Sequence, residues 1–379
     1  MSEEIISPKG LAGVIVDDSA ISKVDVEINQ LIYRGYDIQN LSSVSFFLEV
    51  AYLLLYGELP KKKDLNEFLL FEKENREVPE EIYNLYKSVP KYAHPMDSLR
   101  LGVTMLGILD KENILGDTNK ENILQKSKNL LAKIPTLIAN GYRISHGLPV
   151  VRPRKDLDYS HNFLRMITGK DINDDDIVKT FDVTMILYAE HGFNASTFAG
   201  RVTASTLSDY YSAVASAIGT LKGPLHGGAN EQVMYMLQEI GTKDKAQKYI
   251  QDKLAHKEKI MGFGHRLYRT GDSRTPIIKD LGWKLARKLS NTKWHEIADI
   301  VEETMKKEKD IFPNLDFTSA PAYYLMGIPI ELYTPLFAAS RITGWSAHLI
   351  EQFENNRLIR PSSRYTGPGK RAYVEIDKR

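Results

Sequence analysis

From residue 46 onwards apolar residues recur at helical spacing almost without a break, which restricts the chain to a mainly helical fold. Phe46, Phe47, Val50, Ala51, Leu54 and Leu55 share one face of a helix ended by Gly57 and Pro60. Lys61, Lys62 and Lys63 read as the solvated start of the next helix, and Pro95-Met96-Asp97 opens another. The pattern predicts a helix over 131–147, closed near Gly147 and Pro149, then a polar, proline-containing loop over 151–160. A helix through Phe181 ends near Glu190-His191-Gly192. Its acidic approach, 171–176, places Asp171, Asn173 and Asp175 like the first ligands of a calcium loop. Asp176 stands where that loop needs Gly and Asp182 where it needs Glu, so acidic residues opening a helix are the better reading. The segments 194–206 and 209–219 are rich in Ala, Ser, Thr and Gly. Small residues at that density let helices approach closely, inside a subunit or between subunits, and they predict a dimer.

Only residues 8–38 depart from this pattern. Val14, Val16, Val24, Val26 and Ile28 alternate with polar or small residues, with Asp17-Asp18-Ser19 as a turn, so a small sheet is expected there. At 379 residues the chain is long enough for two domains of roughly 150 residues. Residues 242–310 are rich in Lys and Glu with thin apolar stripes such as Ile297, Ile300, Val301 and Met305, which suits a smaller, more solvated domain. Gly223-Pro224 and Gly327-Ile328-Pro329 supply hinges. The expected division is a large helical domain of 1–221 with 326–379, and a small helical domain of 222–325. A formal net charge of +1 argues against nucleic acid as a partner. The absence of cysteine excludes disulfides and thiolate metal sites. No apolar run reaches the ~20 residues of a membrane span. The start, Met-Ser-Glu-Glu-Ile-Ile, lacks a signal peptide's basic and apolar regions, so a cytoplasmic protein is expected.

Chemistry concentrates first in 221–231, Leu-Lys-Gly-Pro-Leu-His-Gly-Gly-Ala-Asn-Glu. Gly223, Gly227, Gly228 and Ala229 deny bulk to the neighbourhood of His226, with Asn230 as the expected N-cap of a following helix that stops at Gly241. An imidazole at such a place stays neutral and can donate a hydrogen bond to a carbonyl oxygen that is becoming negative. His265 lies in a second glycine-cleared stretch, Gly-Phe-Gly-His-Arg, with Arg274 beyond it. Asp316, between Leu315 and Phe317, is a carboxylate whose basicity partial burial would raise. Arg274, Arg341 and Arg360 are guanidinium forks suited to carboxylates. Gly262-Phe263-Gly264 does not complete a dinucleotide fingerprint, because Leu267 stands at the position of the third glycine. His295-Glu296 lacks a second histidine for a zinc helix, and the spacing of His191, His226 and His265 gives no support for a metal site.

In this order, Gly-Pro-Leu-His-Gly-Gly-Ala-Asn-Glu, Gly-Phe-Gly-His-Arg-Leu-Tyr-Arg-Thr-Gly-Asp-Ser-Arg and Asn-Leu-Asp-Phe-Thr-Ser resemble the citrate synthase family. Leu-Tyr-Gly-Glu-Leu-Pro, His-Pro-Met-Asp-Ser-Leu-Arg and Arg-Leu-Ile-Arg-Pro extend the resemblance over nearly the whole chain, and its compact length is similar to archaeal and Gram-positive-type members. The resemblance implies a mainly α, two-domain fold with a small N-terminal β element, assembled as a homodimer whose small domain closes on substrate. It implies condensation of acetyl-CoA with oxaloacetate and water to citrate and CoA, with no cofactor. In that scheme Asp316 takes a proton from the acetyl methyl, His226 hydrogen-bonds the thioester oxygen, and His265 polarises the oxaloacetate ketone. His191, Arg274, Arg341 and Arg360 hold oxaloacetate, Arg360 reaching in from the partner subunit. Ile260, Met261, Gly262, Phe263 and Gly264 lie along CoA. Ser273 and Ala320 stand where the family often has Pro and Gly. The same chemistry on propionyl-CoA, 2-methylcitrate synthesis, is the nearest alternative; a non-catalytic CoA- or dicarboxylate-binding relative is a more distant one.

Overall fold

In a computed structural model the chain is described over residues 7–264 and 271–379. It opens with an antiparallel sheet of β1 (Ser22–Asp25), β2 (Gln30–Tyr33) and β3 (Tyr36–Asp37), in which Ser22 pairs with Tyr33 and Asp25 with Gln30. The hairpin turn falls later than the alternation of valines suggested. Asp25 accepts hydrogen bonds from the amides of Glu27 and Ile28, and Asn29 takes a left-handed φ of 52°, so the chain reverses there. Val14, Val16, Val26 and Ile28 are exposed and lie outside the strands.

Among the described residues all remaining regular structure is helical: α1 (Ile38–Val44), α2 (Phe47–Tyr56), α3 (Lys62–Glu74), α4 (Glu80–Tyr86), α5 (Pro95–Leu109), α6 (Lys120–Ser145), α7 (Tyr159–Thr168), α8 (Asp175–Tyr188), α9 (Ala195–Ser205), α10 (Tyr210–Leu221), α11 (Ala229–Ile240), α12 (Lys243–Ala255), α13 (Thr275–Lys288), α14 (Lys293–Lys309), α15 (Leu315–Leu325) and α16 (Tyr333–Glu354), with three short 3₁₀ turns. The boundaries follow local chemistry. Gly57 closes α2 in a left-handed conformation, and Asn194 and Asp209 cap α9 and α10 through side-chain oxygens that accept from Thr197 and Ser212 amides. Helix α6 starts well before residue 131, at Lys120, capped by Asn119, and runs through Pro135. At α11 the cap is Gly228 rather than Asn230. The Gly227 amide bonds the Leu221 carbonyl, which turns the chain early and leaves Asn230 fully buried in the first turn.

Helix α16 is the axis of the molecule. Every residue from Tyr333 to Ile350 is buried, and α2, α6, α8, α9, α10 and α11 pack around it. Helices α9 and α10 lie close together because small residues meet. A Cβ on Gly200 would be 3.4 Å from the Ala213 carbonyl oxygen, and one on Gly107 of α5 would be 2.8 Å from Tyr211 Cβ. Helices α11–α15 pack chiefly on one another, α13 and α11 against α15 and α12 against α14, while α13 also meets α8. No helix among the described residues is long and apolar enough to cross a membrane.

Candidate active site

A helix buried on all sides must satisfy its polar residues internally, and Ser340, Arg341 and Thr343 of α16 do so on carbonyls at the C-terminal end of α8. Arg341 is 1% exposed, its Nε donates to the Tyr188 carbonyl at 2.8 Å, and its guanidinium lies 4.7 Å from the ring centroid of Phe337. Burial lowers its pKa to about 10 against the opposing pull of Glu190, so it stays charged at neutral pH. Arg274, at the start of α13, is also buried. It grips Asp272 through Nε at 2.9 Å and Nη2 at 2.7 Å, and its Nη1 donates to the Leu187 carbonyl at 3.2 Å. Two guanidiniums from distant parts of the chain thus converge on consecutive carbonyls at the end of one helix. His191, buried, follows three residues later.

His226 lies in the turns between α10 and α11, half-buried, with its ring 6.1 Å from that of Phe337. Its Nε2 accepts from the Ser196 amide at 3.3 Å and lies 2.8 Å from Ser196 Oγ. An amide can only donate, so Nε2 carries a lone pair and Nδ1 carries the proton. Burial and then the charge of Arg341 lower its pKa to about 4, which keeps the ring neutral. The helix end it meets is the N-terminus of α9, where Ser196 also takes a hydrogen bond from Trp345 Nε1 at 3.2 Å.

Asp316 sits in the first turn of α15, behind the cap Asn314. A helix N-terminus favours a carboxylate. Desolvation overrides that and raises its pKa to about 6, while the hydroxyl of Tyr188, donating to Oδ1 at 2.8 Å, and the charge of Arg274 pull the other way. Beside it runs the segment from Ile260 to Gly264. Phe263 bridges to Pro313, the Asn314 amide donates to the Gly262 carbonyl at 2.9 Å, and the rings of Phe263 and Phe317 lie 4.6 Å apart. Gly262 has φ +80°, and a Cβ there would come within 2.6 Å of Val233 Cγ2 and 2.8 Å of Phe317 Cβ. Only glycine fits.

Arg274 and Arg341 both act on the pKa of Asp316, and Arg341 acts on that of His226, so the four belong to one electrostatic neighbourhood. Arg360 does not join it within the chain. It is exposed, and the adjacent Ile359 amide bonds Ser205 Oγ at the far end of α9, about 14 Å along the helix from Ser196 at ~1.5 Å per residue. His265 lies outside the described residues. Tyr188, Ser196, Phe337 and Glu190 were not singled out from sequence. Ser196 and Phe337 meet His226 across 30 and 111 residues of chain and Tyr188 meets Asp316 across 128, and the one local signal is the Glu190-His191-Gly192 sequence after α8. A groove of about 640 Å³ lies away from this site, between α5 and α10, and is lined by Arg100, Gly107, Tyr211, Ala215 and Gly219 among others.

A carboxylate of raised basicity, a neutral imidazole with an available N–H and two buried guanidiniums, all in a helical body, define a site for an anionic substrate and for moving a proton. Residues 10–362 match the family described as citrate synthase, C-terminal domain. The citrate synthase of Mycolicibacterium smegmatis is 48% identical over 97% of this chain and 96% of its own, and the 2-methylcitrate synthase of Mycobacterium tuberculosis is 47% identical over 96% and 91%. A solved ternary complex of carboxymethyl coenzyme A and oxaloacetate with the citrate synthase of Thermoplasma acidophilum superimposes with a TM-score of 0.92, at 33% identity, covering 98% of this chain and 99% of that one. The chain belongs to the citrate synthase family and is an acyltransferase of that type.

Proposed function

We propose that this enzyme condenses acetyl-CoA with oxaloacetate and water to give citrate and CoA, and that Asp316, His226 and His265 carry the chemistry. The observation that supports this most is the pairing of Asp316, with a pKa near 6, and a neutral His226 whose proton is on Nδ1. A thioester α-proton is weakly acidic, so a carboxylate removes it only if the enolate oxygen is stabilised at the same moment. Asp316 takes the methyl proton and His226 Nδ1–H donates to the oxygen as it becomes negative. The carbon attacks the oxaloacetate ketone, His265 protonates the new alkoxide, and water hydrolyses the thioester to release CoA. His191, Arg274 and Arg341 hold the dianion. The scheme calls for no cofactor or metal.

The segment Ile260, Met261, Gly262, Phe263 and Gly264 takes the CoA side, which its course along the start of α15 supports. Residues 222–325 act as a small domain that closes over the substrates and keeps water from acetyl-CoA before condensation. The working unit is a homodimer in the cytoplasm. The groove between α5 and α10 has Ile108 71% exposed beside it and the small residues Gly107, Ala215 and Gly219 in its lining, which lets the same helices of a second copy seat there, and the exposed Arg360 then enters the partner's site. The likeness to a 2-methylcitrate synthase supports a second activity on propionyl-CoA. One methylene is worth only about 1–3 kcal/mol in an apolar pocket. A thiol-release assay with oxaloacetate and each acyl-CoA tests both. Release with acetyl-CoA is expected to have the higher kcat/KM; release with neither would refute the assignment.

A further inference from the structure

Glu190 is fully buried, yet the chemistry above makes no use of it. A buried carboxylate is costly unless donors surround it. Its Oε1 accepts from Ser22 Oγ of β1 at 3.0 Å, from His348 Nε2 of α16 at 3.0 Å and from the Gly192 amide. Arg201 Nη1 lies 3.2 Å from His348 Nδ1, so an arginine N–H donates there and Nε2 holds the proton directed at Glu190. The main chain of the residue is pinned too. Its amide donates to Tyr33 Oη at 3.1 Å, and the Tyr33 hydroxyl lies 2.9 Å from its carbonyl. Burial pushes the carboxyl up, but His348, Arg341 and Ser22 together hold it below its ordinary value.

Helix α8 has ended at Tyr188, so the turn that follows has lost the helical ladder. The junction between the end of α8 and that turn nevertheless carries much of the site. The Leu187 and Tyr188 carbonyls accept from Arg274 and Arg341, the Tyr188 hydroxyl donates to Asp316, and His191 follows Glu190 in the chain. Glu190 is also the leading opposite charge acting on Arg341.

We infer that Glu190 is a positioning residue for the oxaloacetate subsite: its carboxylate, clamped by Ser22, Gly192 and His348, fixes the turn that presents Tyr188 and His191. The N-terminal sheet thereby becomes part of the binding machinery, although Ser22 belongs to the first strand of the fold. This rests on the assignment of oxaloacetate to that subsite.

The test is steady-state kinetics on the full chain carrying Glu190→Gln, which keeps the shape and removes the charge, or Ser22→Ala, which removes one outlying donor. Hydrogen bonds to a charged group are worth enough to change affinity about tenfold, so KM for oxaloacetate should rise about tenfold in Glu190→Gln and about threefold in Ser22→Ala. The kcat value and KM for acetyl-CoA at saturating oxaloacetate should stay within about twofold. A purely structural role would instead lower melting temperature and active fraction and leave KM alone. Oxaloacetate KM within twofold of wild type in Ser22→Ala and in any folded Glu190→Gln overturns the inference. Calorimetric Kd for oxaloacetate reads the same change without turnover, so a wild type that binds but does not condense would remove the activity and still decide this point.

Discussion

The hydroxyl of Tyr188 lies 2.8 Å from Oδ1 of Asp316 and 2.7 Å from Ser319 Oγ, joining the last residue of α8 to the first turns of α15. It connects the segment that holds Arg341 to the carboxylate proposed as the base. Its donation stabilises the ionised form of Asp316 against desolvation.

Removing that donor has a definite sign. Asp316 must be ionised to accept a proton, so kcat/KM should fall on acidification through about pH 6. In Tyr188→Phe the pKa of Asp316 rises further, and the acid limb should move up by roughly one pH unit, as expected for losing a hydrogen bond to a charged group. Profiles between pH 5 and 8 check this. A limb that stays put, or moves to lower pH, contradicts the role given to Tyr188.

His295 lies in α14, 4% exposed, and neither ring nitrogen has a hydrogen-bond partner among the described residues. Burial lowers its pKa to about 4. The unfolded chain binds its proton near pH 6.5 and the folded chain does not, so its contribution to stability is full above that pH and is lost as pH falls towards 4. Wild type should therefore lose up to about 3 kcal/mol more than His295→Leu between pH 7 and 4. Urea unfolding at both pH values measures the difference, and equal losses would mean that His295 is not held neutral.

Gly262→Ala places a methyl group against Val233 and Phe317 in a left-handed backbone conformation. Overpacking of this kind costs about 1–3 kcal/mol. Because the segment also braces Asn314 and the start of α15, kcat should drop along with melting temperature. Alanine tolerated with neither change would show that the strip moves freely relative to α15.

How far the sequence could be read depended on range. Helices α2, α3, α5 and α8 to α10 are legible because their caps and apolar faces are local; Asp209, Asn194 and Gly57 do what those residue types do anywhere. The hairpin was misplaced because alternation alone cannot distinguish Val14 and Val16, which are exposed, from Val24, whereas the turn depends on Asp25 bonding two amides ahead. Asn230 has the chemistry of a cap but is pre-empted by a contact between Gly227 and Leu221. Asp316 and His226 were legible as residues with unusual neighbours. Tyr188 and Ser196 were not, because a tyrosine ending an apolar helix and a serine in a small-residue helix become meaningful only when α15 and the 222–228 turns are folded against them.

The origin of Arg360 is open to a subunit-mixing experiment. Arg360→Ala and Asp316→Asn are each expected to be inactive. When they are unfolded and refolded together, about half the dimers should be mixed, and each mixed dimer has one site with both residues intact if Arg360 acts across the interface. About a quarter of wild-type activity should then return. Proven mixed dimers with no more activity than their parents would place Arg360 within its own chain's site, or outside any site.

The central claim, that Asp316 is the base, is tested most directly by CoA release in Asp316→Asn alongside calorimetric binding of oxaloacetate. Asparagine preserves size and hydrogen bonding but cannot take the methyl proton. Turnover should fall by about 10²–10⁴-fold, the usual contribution of a general base, while oxaloacetate affinity stays within about threefold. Turnover within about tenfold of wild type, a loss of no more than ~1.4 kcal/mol of transition-state stabilisation, would contradict the assignment.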